Sequence, residues 1–342
     1  MSRVVVAGMG AVSSAGWSVA ELLSAIESGA ALERVRSGYP GRRELDALNA
    51  PKPTKEVQAR IRHPRLRRVS GISRFAVAAG LEALAEARTQ TGIETPRVGV
   101  VFCSTCGCVT YSRKFFHEVL EDPELASPML FPDTVFNAPA SHLAAVFGGT
   151  GESYTLVGDS GTAAEGAALA ANRLLDGAVD LCLVVAAEEN NWLIADAVGH
   201  FAKSVPIAEG AGALALTLSE APLPRLDKVT DPQFYDTAAG SPATDALERV
   251  AAQLGAVDVG ANDLLLSGKG GFSRLAEAEQ MAWAGWGGRT MDVKTVVGEG
   301  FAAGAMWQMI AAVSALRKGA ASRALVSLPG AYQFAIGAGF SI

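Results

Sequence analysis

One serine of this chain lies in a setting that suits acyl-transfer chemistry. Residues 154–166 are typical of an apolar strand, a tight turn of small residues and an alanine-rich helix, with Ser160 near the start of that helix. The first backbone N–H groups of a helix have no partner within it, and together with the helix dipole they stabilise developing negative charge. Acyl-transfer enzymes place their nucleophile at such a strand-to-helix turn. Ser160 is therefore the first candidate for chemistry.

The residues around Ser160 leave two interpretations open. Residues 158–162 differ from the Gly-x-Ser-x-Gly nucleophile motif only at the last position, which favours an acyltransferase or hydrolase. A serine hydroxyl needs a hydrogen-bonded base, however, and the four histidines of the chain are isolated residues, which are more often structural than catalytic. Aspartate and serine are also leading helix N-cap residues, so Asp159 and Ser160 are equally consistent with capping alone.

Composition limits the class of protein. A chain of 342 residues, 49% hydrophobic and 19% charged, predicts a large buried core in one α/β unit or about two domains. The net charge of −6 argues against general nucleic-acid binding. No run of 18 apolar residues occurs, so no membrane-spanning helix is expected. Residues 1–8 enter a strand pattern at once and lack the layout of a signal peptide, which predicts a cytoplasmic protein.

The four cysteines are expected to be reduced and structural. Cys103, Cys106 and Cys108 fall in one stretch, and Cys182 lies within an apolar run. Thiolate metal sites usually take four ligands from two separated pairs, and the sequence shows no second pair and no nearby His-x-x-x-His. Neither a metal nor another cofactor is therefore expected.

Apolar strand-like runs alternate with helical stretches rich in alanine and leucine, which predicts βαβ units and mostly parallel sheets. The alternation occurs twice and indicates an internal pseudo-duplication, with one half at residues 1–220 and the other at 221–342. Strands are predicted at residues 4–7, 98–103, 181–187, 212–218, 264–266 and 324–327, and helices at 19–28, 75–88, 142–147, 163–175, 274–283 and 302–316.

Several segments follow one another in an order that suggests a family. These are the opening strand and turn at residues 4–13, the Ser-Pro to Phe-Pro segment at 127–132, the Glu-Gly-Ala-Gly run within 208–214, and Asp-Val-Lys at 292–294. Together they resemble the β-ketoacyl synthases of fatty-acid and polyketide synthesis, and the resemblance extends over nearly the whole chain. It implies the thiolase fold, a pseudo-duplicated αβαβα five-layer sandwich that forms dimers.

The resemblance also shows which catalytic residues this chain lacks. Condensing members of the family use a cysteine nucleophile and two histidines. Ser160 stands at the cysteine position, while Ser267 and Glu299 stand at the two histidine positions. Of the set that the family uses, only the lysine is kept, as Lys294.

These replacements predict a chain that does not condense. A cysteine is a few per cent thiolate near neutral pH, whereas a serine hydroxyl is far weaker. Loss of one donor to a developing oxyanion costs about 2.7–4 kcal/mol of transition-state stabilisation, and here both histidines are replaced. The carboxylate of Glu299 would also repel an enolate. Lys294 and Glu299, five residues apart, are expected to form a buried ion pair instead.

A ketosynthase-like chain without the catalytic set resembles the chain-length factors of type II polyketide synthases. That resemblance implies two partners, an active ketosynthase in a heterodimer and an acyl carrier protein, and an interface tunnel that limits how far a polyketide or polyene chain grows. The segment aligned to the dimer contact supplies six candidates for the tunnel or interface, although ordinary packing is an alternative for each: Phe115, Phe116, Met129, Leu130, Phe131 and Phe136.

Two further interpretations stay open. Ser160 would serve an acyltransferase or hydrolase acting on acyl thioesters if Lys294 or Glu299 were its base. Residues 42–74 hold ten Lys or Arg residues against three acidic ones, with prolines between them. This basic stretch is consistent with a dock for an acidic partner such as an acyl carrier protein, or with an ordinary charged surface loop.

Overall fold

The computed structural model describes residues 3–92, 97–149, 151–202, 204–236, 242–256, 259–270 and 272–342. The helices in these ranges are α1 (Val19–Ser28), α2 (Lys55–Arg60), α3 (Gly71–Thr91), α4 (Val109–Glu121), α5 (Ala138–Phe147), α6 (Thr162–Leu175), α7 (Trp192–Gly199), α8 (Ala243–Gln253), α9 (Ser273–Ala282), α10 (Lys294–Val297) and α11 (Phe301–Arg317). The strands are β1 (Arg3–Val12), β2 (Val35–Ser37), β3 (Leu45–Leu48), β4 (Val98–Ser104), β5 (Ser153–Val157), β6 (Leu181–Glu188), β7 (Ile207–Ala208), β8 (Gly210–Ser219), β9 (Arg225–Val229), β10 (Gln233–Phe234), β11 (Asp263–Ser267), β12 (Arg289–Asp292), β13 (Arg323–Pro329) and β14 (Phe334–Ser341). None of the described helices is long and apolar enough to cross a membrane.

The main sheet repeats one topology twice. Its strands run in the order β12-β11-β13-β14-β9-β1-β8-β6-β4-β5, with β10 paired to β14. The first half contributes β1, β4, β5, β6 and β8, and the second half contributes β9, β11, β12, β13 and β14. Counted along the chain within each half, and read from the outer edge of the sheet inward, both sets have the order third, second, fourth, fifth, first. The halves meet where β1 pairs with β9 at Val5 and Arg225. The pseudo-duplication predicted from the sequence is therefore present in the strand order. The boundary proposed at residue 220 falls between β8 and β9, and it stays a prediction.

The expectation of mostly parallel sheets is wrong. In the first half β4 is parallel to β5 and β6, whereas β8 is antiparallel to both β6 and β1. In the second half β11 is parallel to β12 and β13, and β14 is antiparallel to β13 and β9. Helices cover both faces of the sheet, so the central strands are continuous apolar runs whatever their direction. Their composition therefore carries no signal of strand direction.

Two helices, α6 and α11, lie between the two halves of the molecule. Helices α3 and α5 pack on the outer face of the first half, and α8 with its neighbour α9 packs on the outer face of the second. Helices α6 and α11 contact strands of both halves. Residues 301–316 of α11 are all buried, as expected for a helix enclosed on every side. The molecule is thus an α/β sandwich of the thiolase type, and the ends of α6 and α11 lie at its centre.

Candidate functional site

Ser160 lies in the turn that the sequence predicted. Strand β5 ends at Val157 and α6 begins at Thr162, with Gly161 as the residue that opens the helix. Ser160 is buried, and no described residue forms a hydrogen bond with its hydroxyl. Neither Asp159 nor Ser160 caps α6 through its side chain, so the capping interpretation is wrong. The described residues also supply no base at this hydroxyl.

The carboxylate of Asp159 binds three backbone N–H groups. Its Oδ1 accepts hydrogen bonds from the N–H groups of Ser160 at 2.7 Å and Ala331 at 2.9 Å, and its Oδ2 accepts one from Tyr332 at 2.7 Å. The side chain is buried and forms no ion pair with a described residue. Asp159 therefore ties the turn before α6 to the loop between β13 and β14. Sequence reasoning missed this role.

The loop that closes on Asp159 depends on a glycine and a tyrosine. A Cβ atom at Gly330 would lie 2.1 Å from Asp159 Oδ2, so only glycine fits there. The Tyr235 hydroxyl donates a hydrogen bond to the Gly330 carbonyl. Burial, and secondly the charge of Asp159, raise the pKa of Tyr235. Burial is also the main reason why the pKa of Tyr332 is raised to about 12. Both phenols therefore stay protonated beside this carboxylate.

Lys294 and Glu299 form the buried ion pair that their spacing predicted. Lys294 Nζ lies 2.9 Å from Glu299 Oε2, and their side chains are 1% and 3% exposed. The other carboxylate oxygen, Oε1, accepts a hydrogen bond from the Phe301 N–H at 2.9 Å. Phe301 has a φ of 46°, the only positive value for a non-glycine residue in the described ranges. Each charged group is thus engaged by a protein partner.

Ser267, which the resemblance aligns with a histidine of the family, is hydrogen-bonded to a carboxylate that sequence reasoning missed. The Ser267 hydroxyl donates to Glu279 Oε2 at 2.9 Å and accepts from the Lys269 N–H at 3.0 Å. Glu279 Oε1 accepts from the Gly268 N–H at 2.8 Å, and burial raises the pKa of Glu279. Ser267 therefore anchors the loop after β11. Gly271, which completes the motif that aligns here, lies outside the described residues.

The turn at Asp159, the Lys294–Glu299 pair and the loop after Ser267 border one connected region. A Cβ atom at Gly268 would lie 2.1 Å from Pro329 Cδ, next to the loop that Asp159 holds. A Cβ atom at Gly270 would lie 3.0 Å from Glu299 Oε2. The loop after β11 therefore contacts both the Asp159 side and the ion-pair side of the site. That these positions correspond to the catalytic residues of the family stays a prediction.

Another buried carboxylate belongs to Glu188. Glu188, the last residue of β6, accepts hydrogen bonds from the N–H groups of Thr105 at 2.5 Å and Cys106 at 3.0 Å, and from the Ser104 hydroxyl at 3.3 Å. Burial raises the pKa of Glu188 to about 7, although these hydrogen bonds oppose the shift. Glu188 therefore holds the loop that leads into α4, and its charge depends on pH near neutrality.

The cysteines are buried thiols with little reactivity. Cys103, Cys108 and Cys182 are buried, and burial raises the pKa of each thiol. Cys106 is partly buried, and its pKa is raised for the same reason. Thiolates, rather than thiols, bind metals and attack electrophiles. In the described ranges no group of three His, Cys, Asp or Glu side chains is arranged to hold a metal ion.

The six tunnel or interface candidates lie on an uncovered apolar face. Phe115 and Leu130 are partly buried, whereas Phe116, Met129, Phe131 and Phe136 are 45–67% exposed. No residue of helix α4 is fully buried. Strand β5 ends the main sheet on the side of the first half. None of the six is fully buried within a single copy of this chain.

The basic stretch forms a groove of about 850 Å³ beside the start of α3. Trp17, Phe75 and other apolar residues line it together with Arg62, Arg67 and Arg74. No described carboxylate forms an ion pair with these three arginines. The groove therefore combines an apolar wall with uncompensated positive charge.

Comparison with known proteins identifies the family. The sequence model described as "Beta-ketoacyl synthase, N-terminal domain" matches residues 1–218, and the chain belongs to the β-ketoacyl synthase family. A search of curated proteins gives no match.

Three solved structures share the fold along almost the full length. They are "The ishigamide ketosynthase/chain length factor" (20% identity, 99% of both chains, TM-score 0.81), a type II polyketide synthase acyl-carrier protein in complex with its ketosynthase bound to the hexaketide (16%, 99% of both chains, 0.78), and a β-ketoacyl synthase from Burkholderia phymatum (17%, 100% of this chain and 99% of the other, 0.82). At these identities the likeness establishes the fold, which is the thiolase-like fold of ketosynthases.

Proposed function

We propose that this chain is a non-condensing, ketosynthase-like subunit of the chain-length-factor kind. It would pair with an active ketosynthase and set acyl chain length in type II polyketide or polyene biosynthesis. One observation carries the proposal: at the positions aligned with the catalytic groups of the family, this chain has a serine to which no described residue offers a base, and a buried ion pair. The fold is retained while the means to condense is absent.

The geometry gives physical reasons against condensation. Decarboxylative condensation needs a nucleophile to carry the acyl chain and donors to stabilise an enolate. The Ser160 hydroxyl meets no base among the described side chains, and Lys294 is already paired with Glu299. A carboxylate such as Glu299 beside an enolate would raise the barrier further by repulsion of like charges.

The apolar face on α4 and residues 122–136 supports a protein partner. Helix α4 has no fully buried residue and so leaves side chains to be covered, and β5, an edge strand of the described sheet, leaves backbone groups to be covered. One of the structural relatives is a ketosynthase/chain length factor. We therefore assign this face to an active ketosynthase in a heterodimer.

The basic groove supports an acyl carrier protein as the second partner. Another related structure contains such a carrier with its ketosynthase. Long-range attraction to an acidic partner would act through Arg62 and Arg67, because no described carboxylate pairs with them. Replacing both by glutamate should weaken carrier binding at least tenfold at low salt, with less effect at high salt. The exposed Lys228, on β9, serves as the control for a charge reversal elsewhere. Equal weakening by Lys228→Glu would refute this assignment.

The six aromatic and aliphatic candidates would define product length. Alanine at a residue that forms the floor of a shared tunnel should lengthen the products made with the partner. Unchanged product length for all six single variants, in complexes that still assemble, would refute the tunnel role.

The decisive experiment is co-expression with a ketosynthase that carries the full Cys-His-His set. We expect a stable 1:1 complex, and a product distribution that changes when this chain is left out. Conversion of malonyl thioesters into longer ketides by the isolated chain would refute the proposal. A homodimer acylated at Ser160 by an acyl thioester would instead establish the serine acyltransferase or hydrolase alternative.

A further inference from the structure

The turn at Ser160 contains a buried carboxylate, that of Asp159. The N–H groups of Ser160, Ala331 and Tyr332, from two distant parts of the chain, converge on the carboxylate of Asp159 at 2.7–2.9 Å. The carboxylate is buried and has no cationic partner among the described residues, so these N–H groups stabilise its charge. Gly330 allows the loop to approach this closely, because any larger residue would collide with Asp159 Oδ2.

An acyl group on residue 160 would need the same donors. During acyl transfer the attacked carbonyl oxygen becomes an oxyanion, and the N–H of the nucleophilic residue is one of the donors that stabilise it. The Ser160 N–H is bound to Asp159 Oδ1 instead. A thioester oxygen that approached this place would therefore meet bound donors and a fixed negative charge.

We propose that the N–H groups of Ser160, Ala331 and Tyr332 form an oxyanion-binding cradle beside residue 160, and that Asp159 is an internal anion that fills it. Asp159 thereby blocks acyl transfer there, whichever nucleophile stands at residue 160. The inference rests on the proposed non-condensing function and adds a second, separate cause to the missing cysteine. It also assigns the ligand class of the cradle: once Asp159 is removed, the cradle binds a small carboxylate such as formate.

The test separates the nucleophile from the cradle. In Ser160→Cys, the thiolate would attack the carbonyl carbon of the hexanoyl thioester of N-acetylcysteamine. The new C–S bond forms, the C–S bond of the thioester breaks, and the departing thiolate takes a proton from solvent to replace the one that the cysteine released. Intact-protein mass spectrometry follows the acylation, and the unmodified chain gives the background from its four native cysteines.

The expected rates differ by about two orders of magnitude. Ser160→Cys alone should be acylated no faster than the background. Adding Asp159→Ala frees the donors, and because one such donor changes rates by about a hundredfold, acylation should rise by about that factor. Asp159→Asn is the matched control. Its amide oxygen can still accept from the N–H groups of Ser160 and Ala331, although its nitrogen cannot accept from Tyr332, so acylation should stay well below that of Asp159→Ala.

Formate supplies a readout of the cradle itself. In Asp159→Ala, alone or combined with Ser160→Cys, formate should raise the melting temperature in a saturable way, and it should slow the acylation of the combined variant. Chloride at equal ionic strength should do neither, and the unmodified chain should not respond to formate. If Asp159→Ala does not fold, Asp159→Ser takes its place, because a serine side chain is too short to fill the cradle.

Two results would overturn the inference. One is rapid acylation of Ser160→Cys with Asp159 in place. The other is acylation that stays at background, with no formate effect, when Asp159→Ala or Asp159→Ser is combined with Ser160→Cys in a folded protein. Neither result decides the chain-length role, which the co-expression experiment tests separately.

Discussion

The Lys294–Glu299 ion pair offers a direct test of how the charges buried at the candidate site contribute to the free energy of unfolding. At 2.9 Å the two charges attract by about 6 kcal/mol for an effective dielectric constant of about 20, and desolvation of both groups offsets most of that gain. Removing one partner leaves the other charge buried and uncompensated. Glu299→Gln or Lys294→Met alone should therefore lower the free energy of unfolding by about 3–5 kcal/mol.

The double variant Lys294→Met with Glu299→Gln should recover most of that loss. Glutamine keeps an oxygen that accepts the Phe301 N–H, and methionine fills the volume of the lysine stem. Urea unfolding of the four proteins gives the coupling free energy, which we expect to exceed about 2 kcal/mol. The exposed pair Arg36–Asp46, with an N–O distance of 2.9 Å, is the matched control and should couple by less than about 1 kcal/mol. A coupling no larger than that of the control would refute the reasoning.

Three further outcomes are expected. Burial raises the pKa of Glu188 from 4.5 to about 7, so the contribution of Glu188 to the free energy of unfolding is full below pH 4.5 and is lost as pH rises through 7. Glu188→Gln should remove up to about 3 kcal/mol of that pH dependence in unfolding titrations. Met129→Glu should weaken binding to the ketosynthase at least tenfold by isothermal titration, while Met281→Glu, on the outer helix α9, should not. Gly330→Ala should destabilise by about 1–3 kcal/mol in thermal unfolding, and Gly285→Ala, which meets open space, by less than about 0.5. Equal effects in either matched pair would contradict the corresponding assignment.

Local signals in the sequence were sufficient for much of the fold. Helix α1 has the predicted bounds because Ser18 caps its start, Gly29 adopts the left-handed conformation at its end, and apolar residues recur at helical spacing. The strand directions were not predictable, since strands covered on both faces have the same apolar composition in either direction. The five-layer arrangement followed from the family resemblance rather than from the local patterns.

The site was predictable only where its partners are close in sequence. Lys294 and Glu299 are five residues apart, and two opposite charges in an apolar stretch must pair if both are buried. Asp159, by contrast, binds N–H groups 172 and 173 residues away, and Glu279 lies twelve residues from Ser267. No spacing rule brings such groups together. The only signal was an aspartate beside the candidate nucleophile, and it was interpreted as a helix cap.

Carboxylates are the common element of the three replaced positions. Asp159 binds the N–H groups around residue 160, Glu279 binds the Ser267 hydroxyl, and Glu299 binds Lys294. Each takes up a donor that an acyl-transfer site would leave free for an oxyanion or an enolate. The backbone N–H groups of Ser160, Ala331 and Tyr332 are therefore already hydrogen-bonded within the protein. Restoring a cysteine alone should therefore not restore catalysis, since the Ser160 N–H would stay bound to Asp159, whose charge would also repel malonyl groups and enolates, which are themselves anions.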